Sequence, residues 1–217
     1  FTLLTGPMAA AKPLFAQKFI VKFLKKNPDY KVLYFATSSP VCGILRNLRI
    51  FGMKEEDTER ITFLDYQPSC EDLKKVDVNY YIGSFSKPEQ LEKVLDMADG
   101  RTIVVVPSFT LLLIGSEVKD ELTDVLTKGI RKASSVAFVA VNSAMFKEQN
   151  ERLAESADNV LEFTKKGEKV YVRVVKFKRQ APDGEVPFEF PREMFEGTKK
   201  EVAERTARII REKKVGR

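Results

Sequence analysis

The sequence contains no histidine and no tryptophan, and its cysteines are limited to Cys42 and Cys70. Without an imidazole, the Ser-His-Asp and Cys-His hydrolase mechanisms lose their proton carrier near neutral pH. Two thiols provide neither a disulfide framework nor a Cys/His zinc site, which points to a reducing, cytoplasmic setting. Both read as ordinary small core or surface thiols. Also missing is any apolar run approaching the roughly 18 residues that span a bilayer. The most apolar stretch, Thr102 to Ile114, is shorter and is interrupted by Pro107. A soluble protein with no membrane partner is expected. Neither an internal repeat nor a low-complexity segment is present, and Phe1 is not an initiator methionine, so the numbered chain reads as a fragment.

What is there is enough for a core: 217 residues, of which 43% are hydrophobic, favour one globular unit. Charged residues make up 31%, a composition compatible with a thermophilic source. The formal net charge of +6 comes from 37 basic against 31 acidic residues. That balance permits an anionic partner but describes a mixed surface rather than a polybasic one.

The opening "FTLLTGPMAAAKPLFAQKFI" reads as a strand, a loop and a helix. Gly6 to Lys12 has the spacing of the phosphate-binding pattern G-x-x-x-x-G-K-[ST], with Ala11 at the second glycine and Pro13 at the magnesium-ligating hydroxyl. Taken alone, the stretch fits a plain strand-to-helix connection with proline near the first helical position. Further on, Leu14 to Leu24 has helical periodicity, "KVLYFA" (31–36) reads as a buried strand, and Ser39-Pro40 opens a helix running to Gly52. "ITFLD" (61–65) is a short strand candidate, followed by a polar, poorly patterned segment. Pro88 to Ala98 is a helix, "RTIVVV" (101–106) a strand, Glu117 to Lys132 a helix, "SVAFVAVN" a strand and Lys147 to Glu155 a helix. Alternating elements with continuous apolar strands predict α/β architecture, a mostly parallel twisted sheet flanked by helices. "DNVLEFTKKGEKVYVRVVKFKRQ" then predicts an antiparallel hairpin near the C-terminal end.

Four stretches in order carry a resemblance: "LLTGPMAAAKP", "VLYFATSSPVCGILRNLRIFGM", "RTIVVVPSFTLLLIG" and "SADNVLEFTKKGEKVYVRVVKFK". Together they resemble the KaiC-like branch of the RecA-fold P-loop ATPases, as a degenerate archaeal-type paralog, over most of residues 1–190. The resemblance implies a RecA-like P-loop NTPase fold, in one domain over 1–192; the charged remainder, 193–217, reads from its apolar stripe as a C-terminal helix that packs on it or extends from it.

The departures from that family fall on chemistry. Gly6, Ala9, Ala10, Ala11, Lys12 and Pro13 form a vestigial nucleotide loop. Three alanines bring methyl groups to a surface where glycines would allow φ > 0 and close approach of phosphate, so the loop is expected to take another shape. Lys12 survives as a point charge, but Pro13 offers neither hydroxyl nor N–H. The family's catalytic acids fall at Thr37, Ser38 and Ser39, none a carboxylate, and its metal-site aspartate falls at Pro107, before Ser108. Phosphoryl transfer thereby loses its metal ligands and its water-polarising acid. Lys176, Lys178 and Arg179 match the cations that family members extend to a neighbouring subunit's nucleotide, and also fit a solvated basic strand end.

No catalytic residue, metal ligand or cofactor is therefore expected, although Lys12 leaves ATP or Mg²⁺ binding possible. The reading is a pseudo-ATPase that regulates or scaffolds through a protein partner or self-association, as a monomer or small oligomer. The alternatives are a nucleic-acid-binding recombinase-like paralog and a nucleotide binder without efficient hydrolysis.

Overall fold

The strands are built from residues that must bury both faces, and the computed structural model of the chain shows where each face goes. It describes residues 1–8, 10–133, 135–177 and 184–194, with Glu204, Ala207 and Arg211. The C-terminal helix expected over 193–217 falls almost wholly outside these residues, as do Ala9, Lys178 and Arg179.

In chain order the elements are β1 (Thr2–Thr5), α1 (Lys12–Leu24), β2 (Lys31–Ala36), α2 (Val41–Ile50), α3 (Glu55–Thr58) and β3 (Ile61–Tyr66). Next come β4 (Lys74–Asp77), β5 (Tyr80–Gly83), α4 (Pro88–Leu95), β6 (Thr102–Val106), α5 (Phe109–Gly115) and α6 (Lys119–Lys132). The last are β7 (Val136–Ala140), α7 (Lys147–Ser156), β8 (Asn159–Lys166), β9 (Lys169–Lys176) and β10 (Glu185–Phe188). The strands form a single 10-stranded sheet in the order β10-β9-β8-β1-β7-β6-β2-β3-β5-β4. The run from β8 to β5 is parallel, and β9, β10 and β4 add antiparallel pairings at its two ends.

Alternation along each strand divides the core in two. Leu4, Val32, Tyr34, Ile103 and Val105 meet α1 and α2 through Leu14, Ile20, Ile44 and Leu48. Leu3, Leu33, Phe35, Val104 and Val106 meet α4 to α7 through Leu91, Leu112, Leu126 and Leu153. Helices on both faces explain why these strands read as continuous apolar runs.

The expected α/β architecture and terminal hairpin are observed, with differences in detail. Strands β2 and β6 pair directly, whereas β7 lies between β6 and β1, so the first strand is not next to the second. The poorly patterned segment after Asp65 contains β4 and β5; all of β4 is exposed, so it carries no apolar pattern to read. A third terminal strand, β10, pairs with β9. In the second hairpin arm Val170 is buried, whereas Phe177, just past the end of β9, is 48% exposed.

The junction that positions the first loop is Gly6, with φ +134, where a Cβ would lie 2.3 Å from the Phe163 carbonyl oxygen on β8. Gly6→Ala is expected to cost about 3 kcal/mol or more, combining a forced backbone contact with a strained φ. Gly167, with φ +63 in the β8–β9 turn, has open space around it, so Gly167→Ala is expected to cost only about 1 kcal/mol. Thermal or urea unfolding of the two variants checks this; equal losses would contradict it.

Candidate functional site

The carboxyl ends of the parallel strands form one edge of the sheet, where α/β proteins place their ligands. Gly6 follows β1, Asn142 and Ser143 follow β7, Pro107 and Ser108 follow β6, and Thr37 to Ser39 follow β2. With strands about 4.8 Å apart, Pro107 lies about 10 Å along the edge from Gly6, and Thr37 about 14 Å. The fold therefore aligns Gly6, Pro107 and Thr37 to Ser39 along one edge, with the β7 loop between the first and second.

The loop itself departs from expectation at Ala11. It has φ 52 and ψ 20 at the N-cap of α1, the left-handed conformation that glycine ordinarily supplies. The three-alanine run does not forbid that turn, because the methyl of Ala11 is packed in the core on the α1 side, 8% exposed. Ala10 is fully buried in the same cluster. Pro13 sits in the first turn of α1, where its missing N–H costs no helical bond.

Lys12 is the central finding. Its side chain is folded back into its own loop, 4% exposed, with Nζ donating to the carbonyls of Gly6 at 2.9 Å and Pro7 at 2.5 Å. The Gly6 carbonyl also accepts from the Ser143 N–H at 3.1 Å, joining the β1 and β7 loops. Burial lowers the Lys12 pKa from 10.5 to about 8.

The other expected positions carry no acid. Thr37, Ser38 and Ser39 are buried, and the Thr37 hydroxyl has no hydrogen-bond partner among the described residues. Pro107 is buried, and Ser108 caps α5 by position without a side-chain bond. Among the described residues there is no cluster of three metal-ligating side chains. Lys176 is engaged within its own chain: Nζ donates to the carbonyls of Ala154 at 3.0 Å and Glu155 at 2.9 Å, in the last turn of α7. A cation there satisfies orphan carbonyls and suits the helix dipole.

Phe146, a bulky residue whose own preference does not predict it, has φ 51 at the N-cap of α7. The strain is held by Asn150, whose Nδ2 donates to the carbonyls of Asn142 at 3.0 Å and Met145 at 2.8 Å. Such outliers cost about 1–3 kcal/mol and persist where surrounding bonds over-determine them.

Lys12 makes stability depend on pH. Folded Lys12 loses its proton near pH 8 and the unfolded residue near 10.5, so the unfolded chain binds more protons between these values and stability rises with pH there. Tyr34, whose pKa burial raises from 10.0, acts in the opposite sense only above that value. Relative to Lys12→Met, the wild-type protein is expected to gain up to about 1.4 kcal/mol per pH unit above pH ~8. Urea unfolding of both proteins from neutral pH to below the tyrosine range checks this; a constant difference would contradict it.

Among the described residues no helix is long and apolar enough to cross a membrane. No family model matches the sequence, and no curated protein matches it. Solved structures do. A KaiC-like protein from the hyperthermophilic archaeon Pyrococcus horikoshii OT3 superposes with a TM-score of 0.60 at 18% identity, covering 88% of this chain and 85% of its own. The flagellar accessory protein FlaH from Methanocaldococcus jannaschii superposes with a TM-score of 0.63 at 12% identity, covering 88% of this chain and 84% of its own. At such identities the likeness speaks for architecture: the chain has the RecA-like α/β fold of KaiC-like proteins.

Proposed function

We propose that this chain is a RecA-fold protein without phosphoryl-transfer activity, acting through contacts with other macromolecules as a regulatory or scaffold component. The observation that carries the reading is the seat of Lys12 on the Gly6 and Pro7 carbonyls. A triphosphate would have to draw that ammonium out of the loop while gaining no hydroxyl or N–H from Pro13. The chemistry of the remaining positions supports the same reading. A magnesium ion requires oxygen ligands, and the positions that would hold it are Pro13 and Pro107. An attacking water requires a base, and Thr37 to Ser39 provide hydroxyls in place of carboxylates, the Thr37 hydroxyl having no hydrogen-bond partner among the described residues.

Calorimetric titration with Mg-ATP, beside a phosphate-release assay, tests this. The wild-type protein is expected to give no saturable heat and only background hydrolysis. Ala11→Gly combined with Pro13→Thr is expected to gain measurable Mg-ATP binding while hydrolysis stays at background, because no carboxylate returns at 37–39. Micromolar Mg-ATP affinity in the wild type, abolished by Lys12→Ala, would overturn the reading.

A further inference from the structure

The near-balance of charge in the whole chain hides a segregation between the two faces of the sheet. From Phe1 to Lys54 the sole acidic residue is Asp29; the acids Glu55, Glu56, Asp57 and Glu59 follow in and just after α3, where Arg49, Lys54 and Arg60 pair with the first three. Helices α1 and α2, which share one face, contain lysines and arginines and no acid. On the opposite face α4, α6 and α7 interleave both signs, as in "KDELTDVLTKGIRK", and pair them, as in Lys132 with Asp96 and Arg152 with Asp120 and Asp124.

Apart from the buried Lys12, the basic residues of α1 and α2 lie on the outer sides of the two helices. Lys18 and Lys22, one helical turn apart, are followed by Lys25 and Lys26 at the helix end, and α2 exposes Arg46 and Arg49. At 1.5 Å per residue, the α1 stripe is about 12 Å long. Lys25 reaches toward the second helix: its Nζ would be 3.4 Å from a Cβ at Gly52, in the turn that ends α2. Lys22, Lys25 and Lys26 have no carboxylate partner among the described residues. Arg49 meets Glu55 at 3.4 Å with both side chains mostly exposed, a contact of little energetic weight. Lys18 is partly engaged, donating to the Glu189 carbonyl at 2.8 Å.

We propose that the outer face of α1 and α2 binds the phosphate backbone of a nucleic-acid duplex, without base recognition. The stripe is too long for a single phosphate and matches an extended polyanion. A protein partner would call for an apolar or aromatic anchor, since lysine is depleted from interface centres. The aromatic side chains of α1 are already occupied: Phe19 stacks on Phe23 at 5.4 Å and meets Phe138 at 4.7 Å, and Phe23 meets Tyr30 at 4.9 Å. A lipid surface would call for exposed apolar side chains around the cations, and among the described residues Ile50 is the one large apolar side chain exposed on either helix. The same shortage leaves no ring to stack on bases, so contact is with phosphates. This inference is independent of the loop around Lys12 and survives or fails separately from it.

The test is fluorescence anisotropy with a labelled mixed-sequence DNA duplex, between about 50 and about 200 mM salt. Wild-type binding is expected to weaken steeply with salt. Lys22→Glu with Lys25→Glu and Lys26→Glu is expected to weaken it at least about tenfold and to flatten the log–log salt slope by about 3. Lys93→Glu with Lys128→Glu and Lys147→Glu, an equal charge change on the opposite face, should leave affinity within about twofold if contact is local. Lys22→Gln with Lys25→Gln and Lys26→Gln should also weaken binding, with an unchanged melting temperature showing that the fold is intact. No duplex binding at the lowest salt, or equal losses from the two charge-reversed triples, would overturn the proposal. Binding to phosphatidylserine vesicles without binding to DNA would overturn it in favour of a lipid surface.

Discussion

The strand-end edge depends on how one ammonium is buried. An ammonium taken out of water must find hydrogen-bond acceptors or lose its proton. Lys12 does part of each, holding two loop carbonyls while burial lowers its pKa. The arrangement requires Gly6, because only a residue without a Cβ can pass the Phe163 carbonyl at that φ. It also requires Ala11 in a left-handed turn, since this starts α1 at Lys12. The Gly6 carbonyl then serves two donors, the lysine and the Ser143 N–H, so the β1 loop and the β7 loop are held as one unit.

Seen this way, the loop is a closed structural element rather than an open cradle. A phosphate cradle works by directing N–H groups and a mobile cation at an incoming anion. Here the cation is already satisfied and a proline removes one N–H. The hydroxyls at Thr37, Ser38 and Ser39 and the ring of Pro107 stand along this edge, and none of these four positions carries a carboxylate. The outer faces of the helices are a second, separate surface, and helices α1 and α2 differ in charge from α4, α6 and α7.

Much of the fold was legible because β2, β6 and β7 are buried on both sides, so their sequences are apolar without interruption, and Lys166-Gly167 marks the hairpin turn. Strands β4 and β5 were not legible, because an exposed edge strand such as "KKVD" contributes no buried side chain to the pattern. Backbone sign was equally hidden: Ala11 and Phe146 are left-handed through surrounding bonds, not through their own preference. The strand-to-helix loop at Gly6 to Lys12 was readable from spacing, but the inward turn of Lys12 was not, because it is set by carbonyl directions that only the folded loop defines. Charge segregation escaped the composition for a simpler reason, since a net count averages two unlike faces.

The most direct test of the closed loop is an NMR titration of the Lys12 side chain, followed through its labelled Cε signal with and without millimolar Mg-ATP. The account predicts a midpoint near pH 8, as burial dictates, with the same curve in the presence of nucleotide. A midpoint near the ordinary lysine value, or one driven upward by Mg-ATP, would show an ammonium free to meet phosphate and would contradict it.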